Sequence, residues 1–260
     1  MDMSYDYENF KQDVYTLIHI NLTLYKEKQM KRRIESLMTR NGFHDFKSYY
    51  QALKSDEKLL RGFVSYLTIN VSEFYRNPNQ WEVFENKMIP YLISHYGKDL
   101  NIWSAACSTG DEPYTIAMIL SKYIPMNQIH ILATDIDEDV LAYAKEGYYS
   151  AKSLERLPKD LLNKHFTPKE KGYQINDDIK RCVEFRKHNL LEDKYPNRMH
   201  MIVCRNVVIY FTDEAKNQVY GNFHKTLENE GILFIGNTEQ IIRANEIGFS
   251  SMDSFFYQKI

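Results

Sequence analysis

Cysteine is scarce in this sequence, and the cysteines present lack the spacing of a metal or redox site. Cys107, Cys182 and Cys204 are odd in number and form no CxxC pair, whereas structural zinc sites use closely spaced Cys and His ligands. Reduced and mostly buried thiols of this kind are typical of cytosolic proteins. We therefore expect a cytoplasmic location and no metal ion.

Long apolar runs and a large excess of charge are also missing. The longest apolar run is only a handful of residues, whereas a membrane-spanning helix needs about 20. The formal net charge of −2 argues against a strongly basic nucleic-acid binder. Apolar residues make up 43% of the chain, with 20 Tyr and 14 Phe, which favours a globular fold with a substantial core over disorder.

The segment 101–120, NIWSAACSTGDEPYTIAMIL, predicts a strand, a tight turn and a helix. In an open α/β sheet, such a turn lies at the carboxyl edge, where ligands bind. The turn contains only one glycine, Gly110, and no GK[ST] sequence, and its carboxylates Asp111 and Glu112 would repel phosphate. The pattern therefore favours a nucleoside ligand with a cationic tail.

The chain shows two kinds of secondary-structure pattern. Residues 5–67 predict helices throughout, and Asn77-Pro78 marks a break. From Leu100 onward, strands and helices alternate, which is typical of the parallel sheet of an α/β fold. We therefore predict an N-terminal all-helical domain over residues 1–77 and an α/β domain over residues 78–260.

One region departs from the alternation of strands and helices. Residues 148–187 predict an inserted β-subdomain, with strands at 173–179 and 182–186 that are joined at Asp177-Asp178. A final strand is predicted at 254–258.

The second predicted helix, over residues 24–40, is strongly basic. Its cations are Lys26, Lys28, Lys31, Arg32, Arg33 and Arg40. A solvated helix face is one interpretation, and a docking surface for an acidic partner is the other. Aromatic residues do not alternate with these cations as a base-stacking platform requires, so an acidic protein helix suits this surface better than nucleic acid.

An acidic residue follows the predicted strand over residues 129–134. Asp135 lies 23 residues after Glu112, about the spacing at which a Rossmann-like fold places an acid on a ribose hydroxyl. An acid after a strand is also a common helix N-cap, so spacing alone leaves both interpretations open.

Five motifs occur in the order found in a known family. The segments NVSEFYR, IWSAACSTGDEPYTIAMIL, ATDID, HNLL and CRNVVIYF closely resemble the chemotaxis receptor glutamate methyltransferases (CheR family), most of all the members of Gram-positive, Bacillus-like type. The resemblance covers nearly the whole chain. It implies a class I S-adenosylmethionine (SAM) methyltransferase fold, Rossmann-like, with a mostly parallel sheet, a terminal antiparallel strand, the helical domain and the β-subdomain.

The resemblance also implies roles for individual residues. The residues expected to bind SAM are Asn70, Ser72, Arg76, Gly110, Glu112, Asp135, Asn189, Leu190, Arg205 and Asn206. Arg76 and Tyr210 are the expected catalytic residues, and the family usually has Thr where this chain has Ser72. The residues expected to dock on the acidic methylation helices of membrane chemoreceptors are Lys28, Lys31, Arg32 and Arg33.

The expected reaction forms glutamate methyl esters for sensory adaptation, with S-adenosylhomocysteine as the second product. A glutamate carboxylate, with a pKa near 4.3, is ionised at neutral pH, so no general base is needed. Arg76 suits the positioning of that carboxylate. Glu112 suits the cationic tail of SAM, Asp135 suits the ribose diol, and Gly110 is expected to let the backbone approach the cofactor.

The sequence departs from some family members in one loop, and two alternative functions are disfavoured. Family members that dock on a receptor's C-terminal pentapeptide have a longer, glycine-containing loop, whereas segment 167–178 is short and contains only Gly172, so we expect no such tether. Methylation of nucleic-acid amines is disfavoured because CRNVVIY lacks the prolines of an [DNS]PP[YFW] loop. A SAM-sensing module without activity would have lost Arg76, Glu112 or Asp135. We expect a monomer that does not insert into membranes.

Overall fold

The computed structural model describes residues 5–260, and the chain divides into two compact units. The smaller unit contains the residues up to Asn70 together with Tyr210–Gln218, and the larger contains Val71–Ile209 and Val219–Ile260. The first division follows Asn70, whereas the sequence predicts a boundary near Asn77. The first four residues of the predicted domain 1–77 lie outside the described residues.

The twelve α-helices are α1 (Tyr7–Ile18), α2 (Glu27–Arg40), α3 (Phe46–Ser55), α4 (Glu57–Thr68), α5 (Pro78–Val83), α6 (Ile89–Tyr96), α7 (Asp111–Leu120), α8 (Glu138–Glu146), α9 (Lys159–His165), α10 (Asp177–Lys180), α11 (Asp213–Thr226) and α12 (Ala244–Ile247) in the described part of the chain. The strands are β1 (Asn101–Ala105), β2 (His130–Asp135), β3 (Tyr148–Tyr149), β4 (Phe166–Lys169), β5 (Gly172–Ile175), β6 (Val183–Lys187), β7 (Met199–Cys204), β8 (Leu227–Ile235), β9 (Phe249–Asp253) and β10 (Phe256–Lys259).

The N-terminal part of the smaller unit consists of α1 to α4, so the predicted all-helical domain is confirmed. Asp45 and Asp56 cap α3 and α4 by accepting hydrogen bonds from backbone N–H groups of the first turn. Buried aromatic rings such as Phe10 and Tyr49 fill the space between the helices.

A late segment of the chain also belongs to the smaller unit, which the sequence did not indicate. The backbone N–H of Lys26 donates to the carbonyl of Tyr210 at 2.9 Å, and the N–H of Thr212 donates to the carbonyl of Leu24 at 2.9 Å. These bonds pair segment Tyr210–Gln218 with the start of α2.

The larger unit contains a seven-stranded sheet in the order β6-β2-β1-β7-β8-β10-β9. The first five of these strands are parallel, and β10 is antiparallel to β8 and to β9. This confirms the mostly parallel sheet with a terminal antiparallel strand. Trp103 on β1 and nearly all of α7 are buried in its core, because a central parallel strand is covered on both faces.

The inserted β element is a separate antiparallel sheet with the strand order β3-β5-β4. The prediction that residues 182–186 belong to this element was wrong. Residues 183–186 lie on β6, which pairs in parallel with β2 and buries Val183 and Phe185 in the core of the main sheet. Asp177 and Asp178, expected to join two strands, instead begin α10.

A helix that crosses a bilayer must be both long and apolar. No helix within residues 5–260 meets these two requirements.

Candidate active site

A small cavity of about 40 Å³ lies where β1 and β7 reach the carboxyl edge of the sheet. Five of the predicted site residues line it, namely Ser72, Arg76, Glu112, Arg205 and Asn206. They come from three parts of the chain: the segment after residue 70, the turn between β1 and α7, and the turn after β7. The structure therefore brings together residues that are up to 134 positions apart, from Ser72 to Asn206.

The turn between β1 and α7 has an unusual backbone. Ala106 and Ser108 have positive φ angles of 62° and 49°, and Gly110 has a φ of 87°. A Cβ at Gly110 would lie 2.8 Å from the Cβ of Ala144 and 3.1 Å from the hydroxyl of Tyr149. Gly110 is therefore required by backbone conformation and packing, and its role towards the cofactor stays a prediction.

Glu112 and Arg205 form a buried charged pair in the cavity wall. Glu112 Oε1 accepts a hydrogen bond of 2.8 Å from the Ser104 hydroxyl, and Oε2 lies 3.7 Å from Arg205 Nη1. Burial raises the pKa of Glu112, and the positive charge of Arg205 opposes that rise. The side chain of Glu112 keeps 13% of its surface exposed, whereas that of Arg205 keeps 3%, so Glu112 is the more accessible charge.

The remaining contacts of Arg205 hold the segment that precedes and begins α5. Its Nη2 donates to the carbonyl of Arg76 at 2.9 Å, to Asn77 Oδ1 at 3.1 Å and to Gln80 Oε1 at 2.7 Å. The guanidinium also lies 5.2 Å from the ring centre of Trp81, a cation–π distance. Arg205 therefore connects the turn after β7 to the segment that contains Arg76.

Arg76 itself is only half-buried and keeps free donor capacity. Its Nη1 donates to the Val71 carbonyl at 3.2 Å, while a guanidinium has five N–H donors. Its charge is close enough to lower the pKa of both Glu112 and Arg205. Arg76 is thus a cation at the cavity beside a carboxylate that is already paired with Arg205.

Ser72 is tied to the turn through a buried carboxylate that the sequence did not single out. Asp111 is 1% exposed and accepts a hydrogen bond of 2.5 Å from the Thr109 hydroxyl. Burial raises the pKa of Asp111, and hydrogen bonds from Thr109 and Ser72 oppose the rise. A hydroxyl at position 72 is therefore used by Asp111, which gives a structural reason for Ser or Thr at this position.

Asp135 lies at the end of β2 and is connected to the same turn. Its Oδ2 accepts the Ser108 N–H at 2.8 Å, and its Oδ1 accepts the Asp137 N–H at 3.1 Å. Burial raises the pKa of Asp135 to about 6, and these backbone bonds oppose the rise. The side chain of Asp137, rather than that of Asp135, caps α8. The structure therefore removes the N-cap interpretation of Asp135.

The loop after β6 lies next to Asp135. The N–H of His188 donates to the carbonyl of Asp135 at 2.9 Å, which places Asn189 and Leu190 at the same edge of the sheet. Leu190 is buried, and Asn189 Oδ1 accepts the N–H of Leu191 at 3.0 Å. Neither residue lines the small cavity.

Asn70 and Tyr210 belong to the smaller unit, and their predicted roles stay predictions. The side-chain amide of Asn70 donates to the Thr68 hydroxyl at 2.9 Å. Tyr210 is half-buried, and its backbone carbonyl accepts the Lys26 N–H.

The basic surface of α2 is divided between free and engaged cations. Lys28 and Arg32 are exposed, and among the described residues neither has an acidic side chain within ion-pair distance. Arg33 Nη2 donates to the carbonyl of Tyr66 at 2.6 Å, and its guanidinium lies 4.5 Å from the Tyr66 ring centre. Lys31 Nζ lies 5.4 Å from the ring centre of Tyr7. An open groove on this unit is lined by Lys28, Gln29, Arg32, Arg33, Ser36 and Tyr66.

A second acidic residue was missed by sequence reasoning, although it follows a buried strand just as Asp135 does. Glu239 comes four residues after β8 and is 4% exposed. Its carboxylate accepts backbone N–H groups from Asn206, Val207, Val208 and Gly236. Glu239 could have been identified from the sequence as an acidic residue that follows the predicted buried strand at 232–236.

The polar groups at this edge fit a charged nucleoside ligand such as SAM. The carboxylate of Glu112 keeps 13% of its side-chain surface exposed, which suits a cationic tail, and Asp135 has acceptor oxygens of the kind that suits a diol. Two buried oxygens of the cavity lining, Ser108 Oγ and Asn206 Oδ1, have no hydrogen-bond partner within the described part of the chain, and such groups normally have one. Within residues 5–260, no group of His, Cys, Asp and Glu could hold a metal ion.

Comparison with known proteins gives matches over nearly the whole chain. The model of the CheR methyltransferase SAM binding domain matches residues 70–256, and that of the CheR methyltransferase all-alpha domain matches residues 5–68. A chemotaxis protein methyltransferase of Listeria innocua is 41% identical over 258 residues, which cover 99% of this chain and 98% of that protein. The corresponding protein of Listeria monocytogenes is 40% identical with the same coverage, and that of Borreliella burgdorferi is 33% identical over 88% of this chain and 85% of its own length.

The two family matches agree with the fold, because the all-alpha match covers α1 to α4 and the other covers β1 to β9 and the first residue of β10. The matched SAM-binding domain contains the cavity and its polar lining, and SAM is the methyl donor. The chain belongs to the CheR methyltransferase family.

Proposed function

We propose that this chain transfers the methyl group of SAM to glutamate side chains of chemoreceptors and forms methyl esters. The observation that carries this proposal is the composition of the cavity. Its lining contains the cation Arg76 and the paired carboxylate Glu112, but no His or Lys among the described residues. A site that methylates a carboxylate needs a cation to position the substrate and needs no base.

The other ionisable groups of the lining do not offer a base either. Burial raises the pKa of the Cys107 thiol, so the thiol stays protonated at neutral pH. Glu73 is engaged by Arg156 at 3.3 Å. A lysine amine is mostly protonated at neutral pH and must lose a proton before it can attack. The lining therefore favours a carboxylate substrate over a lysine amine.

The residues of the chain act by positioning. SAM, when bound, supplies an electrophilic methyl group on a sulfonium. Glu112 would hold the cationic tail of SAM, and Asp135 would accept hydrogen bonds from the ribose hydroxyls. Arg76 would hold the substrate carboxylate with its free N–H donors while Arg205 keeps Glu112 in place, which fixes the two reactants relative to each other.

The decisive experiment is incubation of the protein with SAM labelled in its methyl group and a receptor fragment, followed by alkaline treatment. Label released as volatile methanol identifies a methyl ester. Label that resists alkali identifies an amine product, and absence of label identifies a binding module. The last two outcomes contradict the proposal.

The proposed partner surface is the basic face of α2, offered to the acidic methylation helices on the cytoplasmic side of membrane chemoreceptors. Lys28 and Arg32 are exposed and unpaired in the described chain, so they are the strongest candidates for contact. The surface suits an acidic helix better than nucleic acid, because no base-stacking aromatic residues alternate with the cations.

We further propose that the chain works as a monomer without a receptor tether. Strands β4 and β5 are joined by only Glu170 and Lys171, so the β-subdomain lacks the longer loop of tethered members. Receptor lacking its last five residues should bind with unchanged affinity, and a clear loss would contradict this proposal. Sedimentation in solution tests the monomer.

A further inference from the structure

The loop after β8 contains a buried carboxylate that the roles proposed above do not use. Glu239 Oε1 accepts the N–H groups of Val207 at 2.9 Å and Val208 at 3.1 Å. Its Oε2 accepts the N–H groups of Asn206 at 2.9 Å and Gly236 at 2.6 Å. One carboxylate thus binds three consecutive N–H groups of the turn after β7.

This arrangement supports a backbone conformation that is otherwise unfavourable. Asn206 has a φ of 61°, in the left-handed region that non-glycine residues seldom adopt. Successive backbone N–H groups in such a turn form a concave anion-binding site. Here an internal carboxylate occupies that site, so the conformation of Asn206 depends on Glu239.

The same loop also holds the side chain of Asn206. Asn206 Nδ2 donates to the Thr238 hydroxyl at 3.2 Å, while Asn206 Oδ1, on a residue of the cavity lining, has no partner in the described chain. A Cβ at Gly236 would lie 2.7 Å from the Asn206 nitrogen, so the loop and the turn are in direct contact. Both the backbone and the amide group of Asn206 are therefore fixed by the loop 236–239.

We propose that Glu239 is a positioning residue for methyl transfer, which holds the turn after β7 so that Asn206 Oδ1 is presented to SAM. This inference rests on the proposed function, because it takes the cavity to be the SAM site. Glu239 acts through Asn206 and does not itself line the cavity.

The chemistry of the four N–H groups requires a carboxylate. Each oxygen of Glu239 accepts hydrogen bonds from two N–H groups, and an ionised carboxylate can only accept hydrogen bonds. In Glu239→Gln, an NH₂ group would replace one oxygen and face two N–H donors, so at least two hydrogen bonds would be lost. The turn would then relax, and Asn206 would leave the position in which its Oδ1 is presented.

The test compares Glu239→Gln with Glu85→Gln, which makes the same chemical change at a partly buried carboxylate bonded to Lys122 at 2.9 Å. The affinity for S-adenosylhomocysteine is measured by titration calorimetry, and kcat and KM are measured with receptor as the substrate. Thermal unfolding of each variant shows whether it is folded. We expect Glu239→Gln to weaken S-adenosylhomocysteine binding about tenfold, the equivalent of one lost charge-assisted hydrogen bond, and to lower kcat while KM for receptor stays constant. Glu85→Gln should change neither.

Unchanged S-adenosylhomocysteine affinity in a folded Glu239→Gln protein would overturn the inference. If that variant does not fold, Glu239→Asp replaces it, because it keeps the carboxylate but shortens the side chain by one methylene and so weakens the four N–H bonds. Weaker S-adenosylhomocysteine binding by Glu239→Asp supports the inference, and unchanged binding overturns it. Failure of the wild-type protein to bind S-adenosylhomocysteine would instead overturn the proposed function, so the two failures are distinguishable.

Discussion

Arg205 Nη1 lies 3.7 Å from Glu112 Oε2, and both side chains are almost entirely removed from solvent. The other end of the same guanidinium donates to Gln80 and to the carbonyl of Arg76. One buried cation therefore compensates the carboxylate proposed to hold SAM and fixes the segment proposed to hold the substrate. Removal of one member of a buried ion pair destabilises a protein more than the intact pair stabilises it.

Arg205→Ala is expected to lower the free energy of unfolding by about 3 kcal/mol, because the carboxylate of Glu112 would stay buried without its partner. Urea unfolding at neutral pH measures the loss. The loss should shrink as the pH falls, since burial already raises the pKa of Glu112 and a protonated carboxyl needs no cation. Arg198→Ala, at an exposed arginine 3.9 Å from Glu228, is the control, and an equal loss there would contradict the role of burial.

Arg76→Ala is expected to reduce turnover much more than the affinity for S-adenosylhomocysteine. Arg76 is half-buried, and within the described part of the chain its side chain bonds only to the Val71 carbonyl, so its removal should leave the cofactor groups in place. The measurements are kcat with receptor and the dissociation constant of S-adenosylhomocysteine. Equal losses in both would make Arg76 a cofactor ligand and not the residue that positions the substrate.

The affinity for S-adenosylhomocysteine is expected to depend on pH through Asp135. Burial raises the pKa of Asp135 to about 6, and the ionised form is the one proposed to accept the ribose hydroxyls. Affinity should therefore be constant above about pH 7 and fall about tenfold by about pH 5, where most of the carboxyl is protonated. Calorimetric titrations across this range check the prediction. Asp135→Asn should bind weakly at every pH, and a step near pH 6 that persists in this variant would assign the dependence to another group.

The parts of the fold that follow from local pattern could be predicted from the sequence. The strand–turn–helix at 101–120 places Glu112 at the carboxyl edge because strand polarity and turn position are local properties. Asp135 follows from the same reasoning one strand later. The small cavity then arises because neighbouring parallel strands end at the same edge.

The parts that depend on distant partners could not be predicted in this way. The pattern of 182–186 predicts a strand, but whether it pairs with β5 or with β2 depends on contacts far away in the sequence. The role of Glu239 arises only when β7 and β8 are side by side, because three of its four donors lie more than 30 residues earlier. Segment Tyr210–Gln218 belongs to the helical unit and is bound to it by backbone hydrogen bonds. Such bonds do not depend on residue type, so the sequence does not indicate them.

Gly110→Ala is expected to destabilise the protein, whereas Gly221→Ala should stabilise it. At Gly110 the new methyl group would lie 2.8 Å from the Cβ of Ala144 at a φ of 87°, so strain and overlap together should cost about 2 kcal/mol or more. Gly221 lies within α11 with no atom near its Cβ position, and alanine there should add about 0.5–1 kcal/mol. Urea unfolding measures the free energy of unfolding of both variants. Equal changes in this free energy would contradict the packing role of Gly110.

Reversal of charge at Lys28 and Arg32 is expected to raise KM for receptor about tenfold, because two attractive contacts to an acidic helix become repulsive. The affinity for S-adenosylhomocysteine should not change. The matched control is the double variant Lys58→Glu/Arg61→Glu, which alters the net charge equally on exposed positions of α4 in the same unit. Arg33→Ala should behave differently from Arg32→Ala and lower stability, because Arg33 binds the Tyr66 carbonyl and stacks on its ring.

Ionic strength provides a second readout for this surface. Since the contacts are between exposed charges, added salt should raise KM for receptor in the wild-type protein, and should do so much less in Lys28→Glu/Arg32→Glu, where the attraction is already lost. An equal rise of KM in the α4 control variant and in the α2 variant would show that only net charge matters. In that case the exposed cations of α2 would be a solvated helix face, and the receptor would have to be recognised by another part of the chain.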